Sequence, residues 1–496
     1  MNSYEEYRSR LRRISDIAFS SAVLGWDQET YMPEGGAQMR AQQLSTLAGI
    51  THAMATEESL GALLEKLEKD ASLDEAQAAN VKQTLKDFRK AKKYTTAFVE
   101  EMSRTVSESF TAWQEAKTKN DFSIFAPKLK KLVELKRKEC ELLGYEKLPY
   151  DALLDQHEPG LATADVEKLF NEVRAELVPF VKAIFAKPAH SAELMHKHYP
   201  KDAQWDFSMH VLRQMGFDFN HGRQDISMHP FTTNFSAKDV RVTTRIDEEN
   251  LSDCVTGTIH EGGHALYEQG LPDAEYGLPS SEAVSLGIHE SQSRRWENKV
   301  GRSLAFWKGM LPGLKKYFPE QLKDASPADI FSAINVVKPS LIRINADELT
   351  YHFHVMVRFE TEKALFEGKL EVDGIPAFWN QRYKDYLGID VPNDAEGCLQ
   401  DVHWSHGSFG YFPTYSLGSF YAAQFFAHAK KAIPGLEKEI ENGNYASLLQ
   451  WLRENIHQYG KRFPAKELCE RVTGEPLSFR YFMEYAKEKY GVLYGV

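Results

Sequence analysis

Apolar residues that recur three and four positions apart between charged ones constrain most of this chain to helices. From Glu5 to about Lys187 the pattern persists, as in Leu63, Leu64 and Leu67 or Leu129, Leu132 and Leu135. Each such stretch makes an amphipathic helix whose apolar stripe must be covered by a neighbour. The charged faces, including the Lys-rich stretch from Lys128 to Lys138, read as solvated surface. One stretch breaks the period. His229 to Ile246 is rich in Thr, Val and Phe, and Val240, Val242 and Thr244 alternate with Arg241, Thr243 and Arg245, so it reads as a small hairpin or edge sheet. Helical pattern then resumes to the C-terminus, and the expected fold class is mainly α with a minor β element.

With 496 residues, 42% of them apolar, the chain has enough material for a large core. Length alone would allow about three domains of roughly 150 residues. No fixed-period repeat, low-complexity tract or flexible linker divides it, so a single body over residues 1–496 is expected. Sixty Lys+Arg against 71 Asp+Glu leave a net charge of −11, the wrong sign for binding phosphates, and nucleic acid is not an expected partner. Cys140, Cys254, Cys398 and Cys469 are far apart with no C-x-x-C pair, which points to reduced thiols rather than disulfides or a thiolate metal site. Cys254 in particular reads as a small core residue.

The N-terminus is charged before a short apolar stretch and has no small-residue cleavage site. Phe420 to Ala429 is interrupted by Gln424 and His428 and falls short of the about 20 residues that span a bilayer. Neither a signal peptide nor a membrane partner is expected, and the expected location is the cytoplasm.

Residues 260–264 read His-Glu-Gly-Gly-His. On a helix, imidazoles four positions apart lie on one face and can share a metal ion, with zinc the expected occupant. The pentapeptide alone would arise by chance in about one such chain in twenty, so its surroundings matter. Asn250 and Ser252 are candidate N-caps, Val255, Ile259 and Leu266 can face a core, and Gly270 with Pro272 supplies a stop. Gly262 and Gly263 each cost a helix about 1 kcal/mol relative to Ala, which implies close approach by another element or by substrate.

A catalytic zinc takes three protein ligands and keeps one position open. A metzincin would carry His at position 270 and a thermolysin-type enzyme Glu at 284, but the chain has Gly270 and Val284. Glu282 and Glu290 are the candidate carboxylates. If Ser280 or Ser281 caps a second helix ending near Gly301, rise per residue excludes neither.

The segment His289-Glu-Ser-Gln-Ser-Arg294, together with the His-Glu-Gly-Gly-His motif, resembles the carboxypeptidase Taq family of metallocarboxypeptidases. Further matches are Asp239-Val-Arg241-Val-Thr243 to D-x-R-x-T, Ile342-Arg343-Ile-Asn-Ala346-Asp347 to I-R-x-x-A-D, and Gly397-Cys-Leu-Gln400-Asp401-Val-His403-Trp404 to G-x-x-Q-D-x-H-W. The stretch Trp26 to Pro33 also looks like the family's start, so the resemblance covers nearly the whole chain. It implies a single helical body with a deep groove and a small sheet beside the zinc helix, and Glu290 as third ligand with His260 and His264. It also implies a homodimer that takes amino acids of many kinds, one at a time, from peptides with a free C-terminus. One Zn²⁺ per chain is expected, with Co²⁺ as a substitute.

Such a metal lowers the pKa of water to about 7. Glu261, next to the first ligand, is placed to act as general base and then general acid. On the glycine-punctuated loop from His406 to Tyr411, an imidazole and a phenol are candidates for the carbonyl oxygen; the H-x4-Y spacing resembles that of related helical oligopeptidases, with Tyr411 ahead of His406 and Tyr415. A guanidinium must read the free carboxylate, and Arg343 and Arg241 sit in the matching motifs, with Arg294 and Arg358 outside that choice. His403 is assigned to substrate or hydrogen bonding rather than to a second metal pair with His406, and His352 and His354 follow the same logic. An internally cutting oligopeptidase is the enzymatic alternative, and a helical scaffold with a closed structural metal site is the non-catalytic one.

Overall fold

A computed structural model describes residues 2–496. It is 69% helical with a small three-stranded sheet, as the periodicity predicts. The chain forms two compact units. The first comprises the chain up to Ala91, Ser191–Ile334 and Tyr421–Leu477, and the second Lys92–His190, Asn335–Phe420 and Ser478–Val496. Each unit is assembled from three separated stretches, so no composition change or linker marks a boundary along the sequence.

In the first unit, the helix Glu58–Leu67 buries Leu60, Leu63, Leu64 and Leu67 against Tyr4, Tyr7, Val81, Leu85 and Leu278. The apolar stripe read from spacing is thus a core. The β element exceeds the expectation. β2 (Thr232–Ser236) and β3 (Asp239–Thr244) form the hairpin, with Thr232 opposite Val242, and β1 (Gly222–Ile226) adds a parallel partner to β3. The sequence reading missed β1 because Arg-Gln-Asp carries no alternating apolar signal. Val240 and Val242 are buried, and the sheet packs on the helix that carries the histidine motif.

The second unit contains the long helices Thr96–Lys119 and Phe122–Leu143, which pack on each other. Asp121 caps the second of them by accepting from the Ser123 amide. Lys128 and Lys131 pair with Glu108 and Glu101 at the surface as expected, but Lys136 is buried and paired with Glu139. Cys140, Cys254, Cys398 and Cys469 are all buried free thiols. Among the described residues no helix is long and apolar enough to cross a membrane.

One buried cation stands out in the first unit. Arg295 is fully buried; its Nη2 donates to Gln292 Oε1, while Nε and Nη1 have no hydrogen-bond partner among the described residues. Burial pushes its pKa down to about 9, which leaves it charged at neutral pH. Arg295→Met keeps most of the volume and removes the desolvated charge, so the variant is expected to be more stable by about 1–3 kcal/mol. Urea unfolding of the two proteins checks this, and a lower midpoint for the variant would refute it.

Candidate metal centre and active site

The motif helix runs Leu251–Glu268. Of the two candidate caps it uses Asn250, whose side chain accepts from the Ser252 amide, and Asp253 sits in the first turn where the helix dipole favours an anion. Both glycines face other elements of the protein rather than a substrate. A Cβ on Gly262 would lie 2.8 Å from Leu212 Cδ2, and one on Gly263 would lie 2.7 Å from the Ser293 Cα and 2.9 Å from the Gln292 carbonyl oxygen. The second contact lets the two site-bearing helices approach at their backbones, which explains a glycine that propensity alone disfavours.

The second helix begins later than expected. Pro279–Ser281 is a separate 3-10 turn, and the helix spans Leu286–Arg294 with Ser285 as cap, its hydroxyl accepting from the Ile288 amide. Glu282 therefore lies outside it, exposed and paired with Lys461. Glu290 lies inside and is buried. The helix continues as a π-helical turn over Arg295–Gly301, and Glu297 in that turn faces the same histidine as Glu290.

Ligand atoms of His260, His264 and Glu290 lie within 4.8 Å of one another, the one such group of His, Cys, Asp or Glu among the described residues. Glu290 Oε2 is 3.8 Å from His260 Nε2 and 3.5 Å from His264 Nε2. Donors about 2.0–2.1 Å from a tetrahedral cation are about 3.4 Å apart, so these separations fit a small divalent ion, and two imidazoles with one carboxylate suit zinc. His260 Nδ1 bonds Glu297 Oε2 at 2.9 Å, which aims Nε2 into the centre. Arg294 braces both acids, with Nε 2.6 Å from Glu290 Oε1 and Nη1 3.3 Å from Glu297 Oε2. His264 is backed by the His289 ring, stacked at 4.3 Å, and His289 Nε2 meets Glu268 Oε1 at 2.8 Å.

Burial pushes the His264 pKa down to about 3, so this ring is neutral and able to ligate. Burial works the same way on His260, but Glu290 and Glu297 outweigh it and move its pKa up. Both acids are held well below the usual carboxylate range: burial opposes this, and Arg294 and the facing imidazoles prevail. Glu261 is buried beside this group, and burial raises its pKa.

Arg241, also in the first unit, forms an ion pair with Asp239, Nε to Oδ1 3.0 Å, and lies 4.3 Å over the Trp26 ring. The other predicted residues lie in the second unit. Arg343 is buried and grips Asp401 Oδ1 through Nε at 3.1 Å and Nη2 at 2.9 Å, while Arg358 Nε meets Asp401 Oδ2 at 2.7 Å. Asp401 is held well below the usual carboxylate range: burial opposes this, and Arg358 and Arg343 prevail. Tyr411 lies 5.3 Å from both His403 and Tyr415, ring to ring. His403 Nε2 is 3.4 Å from the Tyr415 hydroxyl, and burial pushes its pKa down to about 4 against the pull of Asp401. His406 is exposed and stacked on Phe110. His352 and His354 are buried, with Nδ1 bonded to Ser416 and Tyr383 respectively. The sequence reading missed Glu297, Arg358 as a partner of Asp401, and Glu362. Glu362 takes bonds from Tyr150, the Trp404 indole and the Gly410 amide, so it pins the loop between His403 and Tyr411.

Two imidazoles one helical turn apart, a buried carboxylate as the third donor and a further acid beside them make up the kind of donor set that a metallopeptidase centre uses. The family model described as carboxypeptidase Taq (M32) metallopeptidase matches residues 6–490. Carboxypeptidase 1 of Bacillus subtilis is 40% identical over 100% of this chain and 99% of its own length. Thermostable carboxypeptidase 1 of Thermus thermophilus is 39% identical over 99% of each chain. A crystal structure of the M32 carboxypeptidase from Deinococcus radiodurans R1 superposes with a TM-score of 0.98 at 40% identity, covering 100% of both chains. The chain belongs to the carboxypeptidase Taq (M32) family and is a metal-dependent carboxypeptidase, not an endopeptidase.

Proposed function

We propose that His260, His264 and Glu290 hold one zinc ion per chain, replaceable by cobalt, and that Glu261 is the general base and then the general acid in releasing C-terminal amino acids of many kinds. The observation that carries this is the convergence of those three ligand atoms beside a buried carboxylate that is not itself one of them. Bound there, the cation supplies Lewis acidity to the scissile carbonyl and lowers the pKa of water. Glu261 takes the proton of the attacking water and returns it to the leaving amine. The raised pKa of its buried carboxyl suits a group that must be basic and then acidic in one turnover.

Tyr411 is the proposed donor to the carbonyl oxygen, with His406, His403 and Tyr415 as further substrate contacts. Arg343 or Arg241 is the proposed reader of the terminal carboxylate. Arg343 and Arg358 together bring two buried positive charges to Asp401, and the surplus charge favours a ligand carboxylate. We place the enzyme in the cytoplasm as a homodimer in which residues 1–496 act as one catalytic domain; family membership supports the assembly, and light scattering of the purified protein tests it.

A peptide with a free C-terminus is expected to be shortened one residue at a time, and its C-terminal amide to be cleaved at least about 100-fold more slowly, since the amide cannot form the charge-assisted pair with the guanidinium. Timed amino-acid release from both peptides, with metal analysis of the same protein, checks this. Equal rates would refute carboxylate reading by either arginine.

A further inference from the structure

We infer that Thr232 is a positioning residue that fixes the carboxylate of Glu261, an inference that rests on Glu261 being the general base. The Thr232 hydroxyl lies 2.7 Å from Glu261 Oε2, and among the described residues this is the one hydrogen bond the Glu261 side chain makes. The same hydroxyl lies 3.0 Å from the Glu261 carbonyl oxygen, so it sits between the backbone and the head of one residue and limits the swing of the side chain. A carboxylate held by one oxygen keeps the other for the proton it must move. Without that bond, the longer glutamate side chain samples rotamers in which neither oxygen is in place.

Thr232 can do this because its own position is fixed. It opens β2, an edge strand whose register places it opposite Val242 of the buried strand β3. Two residues on and on the same face, Asn234 Nδ2 donates to Glu268 Oε2 at 2.6 Å. Glu261 and Glu268 are seven residues apart, two turns along one face of the motif helix. The strand is thus tied to the helix at two points, and the Thr232 hydroxyl is presented by a rigid element rather than a mobile loop.

Thr232→Val, Thr232→Ala and Thr232→Ser test the inference, each measured for kcat, KM, metal content and melting temperature. Val and Ala are expected to lower kcat about 10–100-fold with KM within about threefold and metal retained, and Ser to restore kcat to within about threefold. Should Val disturb folding beside the carboxylate, Ala reads the same split. Undiminished kcat in folded, metallated Val or Ala protein overturns the inference. Ser as poor as Val, or metal loss in both Val and Ala, does so too, because either result assigns the effect to packing or to the metal centre. Glu261→Gln measured in parallel separates the two readings: activity surviving there removes the general-base role itself, whereas an inactive Glu261→Gln beside a fully active Thr232→Val removes only the role of Thr232.

Discussion

Glu261→Gln is expected to bind metal as the parent does and to lower kcat by about 10³–10⁴ with little change in KM. The amide keeps the shape and can still meet the Thr232 hydroxyl, which lies 2.7 Å from Glu261 Oε2, but it cannot accept a proton from water. Because Glu261 is not one of the three residues whose ligand atoms converge, its substitution leaves the donor set intact. Metal analysis and steady-state kinetics on one preparation check both halves. Retained hydrolysis would sink the proposed mechanism, and lost metal would place Glu261 among the ligands.

Glu290→Gln is expected to act at the opposite point, abolishing tight metal binding and activity together. Glu290 Oε2 is the atom that both imidazoles face, at 3.8 and 3.5 Å, and a neutral amide there removes the anionic ligand. Loss of an outer partner costs a metal site about 10–100-fold in affinity, and loss of an inner carboxylate is expected to exceed that. The metal-free variant is also expected to be less stable than the metal-free parent, by about 3 kcal/mol, because Arg294 loses a buried counter-charge. The sign follows from linkage. The native state holds the Glu290 pKa far below its unfolded value, so its contribution is present above the ordinary carboxylate range and fades as pH falls below it. The stability gap between parent and variant should therefore narrow in acid. Equilibrium dialysis and urea unfolding at neutral and acid pH measure these effects, and parent-like metal affinity would remove Glu290 from the centre.

Much of this was legible before any coordinates. Helix period, the position of the hairpin, the Asn250 cap and the histidine pair all depend on residues close together in sequence, where spacing maps directly onto geometry. The choice between Glu282 and Glu290 did not. Rise per residue left both open because the helix start was misplaced: Ser285, not Ser280 or Ser281, supplies the cap. The family resemblance favoured Glu290 where geometry could not, and the structure places Glu282 against Lys461 instead.

The sequence by itself determined a helical metallopeptidase chain, the two imidazoles on one helix face and the acid between them, since a periodic backbone turns residue spacing into direction. Only the tertiary structure decided what braces them: Glu297 behind His260, His289 behind His264, Thr232 on Glu261, and the close helix contact that requires Gly263. Those partners come from separate elements, brought together by the burial of apolar faces, and that burial leaves no local pattern from which to read which polar side chains will meet.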